Sequence, residues 1–402
     1  MVPMRMDLLR ACTALGAAGA AVVGVMVALP GSSPVASARP PAALPGAEIA
    51  IVATAHDGDA RESDVRIVGI DAKGAHETSL ATIAHARGAV LRGDVVRGAR
   101  AFVIAADDER DRGLGDFGST LWRVDAAASR ATELARGLYH ASRPLASNDG
   151  AIYVERGKRG AWPTAEEARS LVLRVDALSI DAIDPTSGAI RTVYTWAGYT
   201  LHIAGEYGAE LIVYRVEPRG ADLVAIDRAT GRSRVVTTLA PFARDFSIDG
   251  ARGAIVMSNR DDKDAHMWLV VRVDLASGDA TRILSMRDDA PAPFALPGGA
   301  LAWTSTGRGG LSVIASPSPA SSMTGVAGGA RLLAPLGAGF DAVTSASNDA
   351  TWITIAHVPK GERAYDMFAA VHVASGTPVR LTTRDERVDV LGFLGSDASR
   401  NG

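Results

Sequence analysis

The 402-residue chain has a single cysteine, Cys12, and it lies in an apolar N-terminal segment. Beyond that segment there is no thiol, which excludes disulfides and cysteine-ligated metals and leaves the fold to its core. Helical periodicity is nearly absent; Ala165 to Ser170 is the only stretch that reads as a helical turn. No Gly-x-Ser-x-Gly elbow, His-Glu-x-x-His pair or phosphate-cradling Gly-x-x-x-x-Gly-Lys occurs. Long runs of one charge sign are missing and the formal net charge is -3, so nothing provides the electrostatic footprint of a nucleic-acid binder.

What is present begins with an address. Arg5 and Arg10 precede an apolar run from Ala11 to Leu29, and Ala36-Ser37-Ala38 follows a Pro/Gly/Ser segment. A basic start, an apolar middle and an Ala-x-Ala end predict a secretory signal over residues 1–38, cleaved after Ala38. The alternative is a retained membrane anchor over residues 11–29, since that run approaches the length of a bilayer span. Residues 39–46 read as a Pro-rich linker, 47–395 as the folded domain and 396–402 as a disordered tail. The protein is expected to be exported, periplasmic or secreted, and monomeric.

From residue 47 onward, short runs of Val, Ile, Leu, Trp and Tyr are interrupted by Gly, Asp, Ser or Pro, an all-β pattern. One hairpin recurs: an apolar strand ends in Asp, a Ser/Gly turn follows, and a second strand returns. The aspartates are Asp71, Asp125, Asp184, Asp227 and Asp274, with His372 in the same place in a last copy. Successive spacings are 54, 59, 43 and 47 residues, then 98, which leaves room for a degenerate copy at Leu311 to Ser316. A repeat of about 50 residues suits four-stranded propeller blades, and seven units result.

A second signal precedes the hairpins: Ser147-Asn148-Asp149-Gly150, Ser247-Ile248-Asp249-Gly250, Ser347-Asn348-Asp349 and, in the same slot, Leu296-Pro297-Gly298-Gly299. With the closing GTPVRLTT of residues 376–383, these repeats resemble those of TolB-type, WD-repeat-like β-propellers over residues 47 to 395. The resemblance implies an all-β propeller of seven four-stranded blades. The chain starts mid-unit at Glu48 and ends on an unmatched strand, Val388 to Leu394, so pairing of the two ends is expected to close the ring. Trp122, Trp268, Trp303 and Trp352 are expected to pack between blades.

Two sets of residues could carry function. The loops between second and third strands are polar, and Asp107, Asp108, Asp111, Asp261 and Asp262 are the candidates for a binding surface. The 107–116 loop also suggests calcium, but Arg110 and Arg112 compete for its carboxylates. Near the starts of inner strands lie Asp94, His140, His202, Asp245, Asp341 and Asp389. If they converged they could hold one divalent metal, as in the propeller lactonases and lyases they are similar to. Arg92-Gly93-Asp94 spells an adhesion tripeptide, but it is expected inside a strand. The primary expectation is an exported non-enzymatic module with no cofactor, binding a protein or peptide of the cell envelope on its loop face or channel mouth. The alternative is a metal-dependent hydrolase or lyase.

Overall fold

The computed structural model describes residues 46–55, 59–71, 74–110, 118–139, 142–157, 178–197, 200–217, 220–240, 242–288, 291–304, 311–314, 331–333, 336, 339–359, 362, 367–381 and 386–395. The leader, the linker up to residue 45, the 165–170 turn, Asp111, His140 and the C-terminal tail lie outside them. Among the described residues there is no α-helix, and no helix long and apolar enough to cross a membrane.

The strands pair antiparallel with their neighbours in sequence. The first sheet holds β1 (Ala47–Ala55), β2 (Glu62–Asp71), β3 (Gly74–Ala84) and, from the far end of the chain, β28 (Glu386–Leu394), in the order β28-β1-β2-β3. Next come β4 (Leu91–Val96), β5 (Ala101–Asp107), β6 (Ser119–Asp125), β7 (Arg130–Leu138), β8 (Leu145–Ala146), β9 (Ile152–Gly157), β10 (Leu178–Ile183) and β11 (Ile190–Trp196), joined in one eight-stranded sheet. The third sheet is β12 (Thr200–Tyr207), β13 (Glu210–Glu217), β14 (Gly220–Asp227) and β15 (Ser233–Leu239). The fourth is β16 (Arg244–Asp249), β17 (Ala254–Arg260), β18 (Met267–Asp274) and β19 (Ala280–Arg287). The fifth is β20 (Phe294–Ala295), β21 (Leu301–Thr304), β22 (Leu311–Ile314) and β23 (Arg331–Leu333). The last is β24 (Gly339–Ala346), β25 (Trp352–Pro359), β26 (Met367–His372) and β27 (Thr377–Arg380).

This is a β-propeller arrangement, but not the seven separate four-stranded sheets expected. Six sheets form, because Leu138 on β7 registers with Arg156 on β9 and fuses two units into one sheet. Among the edge strands, β28 lies against both β4 and β24, β4 against β8, and β16 against both β12 and β20. The core is correspondingly distributed. Period-two alternation sends Ala50 and Val52 to one neighbouring sheet, against Phe102 and Ile104, and Ile49 and Ile51 to the other, against Trp352 and Phe368. Trp303 and Trp352 are buried between sheets as expected, and Trp122 packs at the edge of a core cluster. Trp268 departs from that expectation: it is only half-buried and carries two arginines.

The recurrent hairpin has one physical cause. Asp184 Oδ1 accepts the N–H groups of Thr186 (2.9 Å) and Ser187 (2.6 Å), and Asp274 Oδ1 those of Ala276 (2.9 Å) and Ser277 (2.7 Å). Asp125 does the same with Ala127 and Ala128. In the last copy His372 Nδ1 replaces the carboxylate oxygen, accepting the Ser375 N–H at 3.3 Å. Four residues on, the turn glycine closes the loop: Gly188, Gly231, Gly278 and Gly376 donate to the carbonyls of Asp184, Asp227, Asp274 and His372. Each glycine has positive φ, between 69° and 79°. A Cβ on Gly231 or Gly278 would stand 2.3 or 2.2 Å from the carbonyl oxygen of Val193 or Val236, on the preceding unit's outer strand. The glycine is therefore needed both for its turn and for blade-to-blade approach.

Candidate functional site at the loop end

Antiparallel order puts the starts of inner strands, the ends of second strands and the starts of third strands at one end of the molecule, here the loop end. The hairpins and the Ser-x-Asp-Gly turns lie at the other. Of the five described inner-strand candidates, His202, Asp245 and Asp341 fall near the loop end while Asp389 and Asp94 lie deeper along their strands, and the five do not converge. Among the described residues no group of three or more His, Cys, Asp or Glu is placed to hold a metal.

Each candidate has its own surroundings. On β4, Asp94 accepts the backbone N–H of Val95 (2.8 Å) and, across to β8, that of Ala146 (2.9 Å). Asp341 on β24 is buried and pairs with His357 on β25, Oδ1 to Nδ1 2.7 Å, two strands that its register brings together. Asp245 on β16 accepts the Ser258 hydroxyl at 3.0 Å and pairs with Arg244. Asp389 on β28 pairs with Arg387 at 3.2 Å. His202 on β12 joins a row of rings, 5.7 Å from Tyr139 and 4.9 Å from Tyr214, which stacks on Phe246 at 4.7 Å.

The group that ties this end together is one the sequence reading passed over, Glu155 at the end of the apolar β9 run. It is 2% exposed. Its Oε1 accepts the Ile203 N–H of the next unit at 2.6 Å, its Oε2 the Ser142 hydroxyl, and its backbone N–H donates to Ser142 Oγ at 3.0 Å. Burial raises its pKa to about 7, against the pull of these hydrogen bonds and of Arg92. Burial likewise raises Asp94, Asp245 and Asp389, and it raises the Tyr214 phenol, which also feels Glu155. Arg92, on β4 beside these groups, is lowered, chiefly by burial and then by Arg143. Asp245 keeps about a third of its side chain open to water yet is ringed by protein atoms, hence its upward shift. A carboxyl titrating near neutrality suits proton transfer. Both Glu155 oxygens are already taken, however, so its geometry is that of a latch between adjacent units.

The loop candidates also divide. Asp107 accepts the Ser119 hydroxyl at 2.5 Å. Asp108 is buried, held by the Arg110 guanidinium and by Thr120 Oγ1 at 3.0 Å. The Arg110 hydrogen bond holds it down to about 2. Asp261 Oδ1 accepts the Lys263 N–H at 2.8 Å, while Asp262 is exposed. Just behind them lies a cationic-aromatic patch. The Arg244 guanidinium sits 4.7 Å from the Trp268 ring, and Arg260 sits 5.5 Å from that ring and 5.0 Å from Phe242. A buried Ser–His pair also exists, Ser63 Oγ to His85 Nε2 at 2.8 Å, with His85 Nδ1 on the Ala86 carbonyl. Both side chains are shut from solvent and Thr54 occupies the serine oxygen at 2.6 Å, so the pair is a structural chain.

No protein-family model matches the chain, and no curated protein matches it in sequence. Solved structures do. An acylaminoacyl peptidase of Pyrococcus horikoshii matches with a TM-score of 0.53 at 11% identity, over 85% of this chain and 52% of its own. A puromycin-hydrolysing peptidase of Mycobacterium tuberculosis matches with a TM-score of 0.51 at 13% identity, over 83% and 53%. TolB of Acinetobacter baumannii is similar with a TM-score of 0.49 at 10% identity, over 86% and 67%. The two peptidase matches show a fold shared over most of this chain, which spans about half the length of each peptidase. Identities this low speak for the fold alone.

Proposed function

We propose that this protein is an exported, non-enzymatic β-propeller that binds a protein or peptide of the cell envelope on its loop face, beside the channel mouth. The observation that carries the reading is Phe242. It is 65% exposed, the most exposed large apolar side chain among the described residues, and it stands in the connection leading into β16 at a φ of 63°. A non-glycine residue in the left-handed region is strained, and presenting an apolar ring to water there costs more. Polar loops on a rigid scaffold are where binding residues concentrate, and Asp261 and Asp262 flank the ring's neighbour Arg260.

The reading includes seven blades in a closed ring. It is supported by seven core clusters between successive units, by the single-residue joint at Leu138 and Arg156, and by the pairing of β28 with β1. Arg66 adds a bidentate ion pair to Glu386 at 2.8 and 2.9 Å. Export rests on the features of residues 1–38. The protein is proposed as a monomer that does not bind nucleic acid. A metal-dependent hydrolase or lyase remains the second reading, for which the desolvated acids around Arg92 speak. It requires His140 to join His202, and stoichiometric metal by elemental mass spectrometry would favour it.

The test is capture of a partner from envelope extract, its identification, and its affinity for three variants: Phe242→Ala, the Asp261→Asn/Asp262→Asn pair, and Asp107→Asn. Binding should fall several-fold in Phe242→Ala and change measurably in the aspartate pair, with unchanged melting. Full affinity in all three would remove the loop face from consideration. Asp108 is unsuited to this test because its substitution removes a buried carboxylate that holds Arg110 and Thr120.

A further inference from the structure

The cationic-aromatic patch at the loop end contains one arginine with no ion pair among the described residues. Arg260, last residue of β17, is the register partner of Trp268 on β18, so guanidinium and indole are neighbours by construction. The Phe242 ring, in the inter-blade connection, also lies against the guanidinium, which thus contacts two rings. Two neighbouring arginines each have an acid: Arg244 has Asp245 (3.0 Å) and Arg287 has Asp264 (3.0 Å). Among the described residues no carboxylate pairs with Arg260, and its Nε is buried without a hydrogen-bond partner. The adjacent Asp261 is turned to its own loop through the Lys263 N–H.

A guanidinium held flat by aromatic rings keeps its outer edge ready for two parallel N–H···O bonds to a carboxylate. Its rotamer is fixed before a ligand arrives, so little entropy is lost on binding. The strained backbone at Phe242 supplies one wall of this clamp and leaves much of the ring in water. The second positive-φ residue of the segment, Asp245 at 55°, occupies Arg244 and so leaves Arg260 as the open cation.

We propose that Phe242, Arg260 and Trp268 form a carboxylate receptor, and that it takes an acidic peptide segment of the partner, with one carboxylate on Arg260 and an apolar neighbour against Phe242. The proposal rests on the binding-module reading and gives the chemistry of its partner.

Fluorescence anisotropy with a labelled Gly-Asp-Phe-Asp-Phe-Asp-Gly peptide, against the same peptide with Asn for Asp, tests it on the whole protein. The acidic peptide should bind at least about tenfold tighter, and less tightly as salt rises. Arg260→Gln should abolish the preference without altering the far-ultraviolet spectrum or melting, and Arg260→Lys should restore only a small part of it. Equal binding of the two peptides would overturn the receptor, as would an unchanged preference in Arg260→Gln. Displacement of the peptide by phosphatidylglycerol vesicles, at charge concentrations where phosphatidylcholine vesicles have no effect, would also overturn it in favour of a lipid surface. If the captured partner binds Arg260→Gln as tightly as wild type but is lost from Phe242→Ala, the receptor fails and the binding module stands. If every loop-face variant keeps the partner, the module reading itself fails.

Discussion

The two ends of this propeller are built from the same strands and obey different rules. At the turn end one solution recurs: an aspartate or histidine gathers backbone N–H groups, a positive-φ glycine closes the hairpin in four copies, and in three of them an arginine of the preceding unit caps it. Arg123, Arg191 and Arg234 donate to the carbonyls of Pro185, Arg228 and Leu275, each one residue past the turn aspartate. At the loop end nothing repeats. Glu155, Asp245 and Asp389 are desolvated acids, Phe242 and Asp245 are strained, and Arg260 has no ion pair among the described residues. Left-handed non-glycine residues occur at both ends, Ser129 and Ala350 in the turns and Phe242, Asp245 and Asp288 at the loop end. The ends therefore differ chiefly in that the turn chemistry recurs from unit to unit.

Substitutions can break that contrast in order of size. Gly278→Ala should be the most damaging, about 4 kcal/mol in a urea titration, because it adds left-handed strain and drives a methyl into the Val236 carbonyl of the adjoining unit. Gly208→Ala, at a φ of 57° with open space around its Cβ, should cost only about 1 kcal/mol and so separates strain from collision. Next comes pH. The folded pKa of Glu155, about 7, exceeds its ordinary 4.5, so its contribution to stability is complete below 4.5 and is lost as pH rises through 7. About 3 kcal/mol should disappear across that window in wild type, and Glu155→Gln should flatten the curve there. The opposite sign applies to Asp108 and Asp349, held down to about 2, whose contributions fade only as pH falls below 4. At the loop end Phe242→Gly should stabilise, by about 1 kcal/mol through relief of strain, and at the same time weaken partner binding. Smallest of all, His372→Asp should leave melting within about 0.5 kcal/mol of wild type, since either side chain can accept the Ser375 N–H.

The turn end was readable because its chemistry is local. Asp at the strand end and Gly four residues later depend on contacts within one hairpin, so even the His372 replacement could be aligned by position. The Ser-x-Asp-Gly turns were also visible, although their reach was not. Asp249 answers Arg252 (3.0 Å) and Arg272 (3.5 Å), and Arg252 continues to the Gly299 carbonyl of the next unit. The loop end resists reading because its contacts join residues far apart in sequence. Glu155 meets Ile203 and Ser142 only once three strands are in register, and its sole local signal is a charge closing the apolar run Ile152-Tyr153-Val154. Likewise Trp268 looked like a core residue, because nothing in its own strand announces Arg244 or Arg260. The fusion of two units through Leu138 and Arg156 leaves no mark in the spacing at all.

The pairing of β28 with β1 also dictates an order of events. Arg66 and Glu386 are 320 positions apart, so the first blade cannot be finished until the last strand has been made and has travelled back to it. A nascent chain therefore carries a bare apolar strand edge, Ile49 to Ala53, through almost its whole synthesis. Such long-range closure is slow, and an unmated edge invites pairing with other chains in the meantime. A chain truncated just before Glu386 would keep the β1 edge unpaired, an adhesive seam toward other chains.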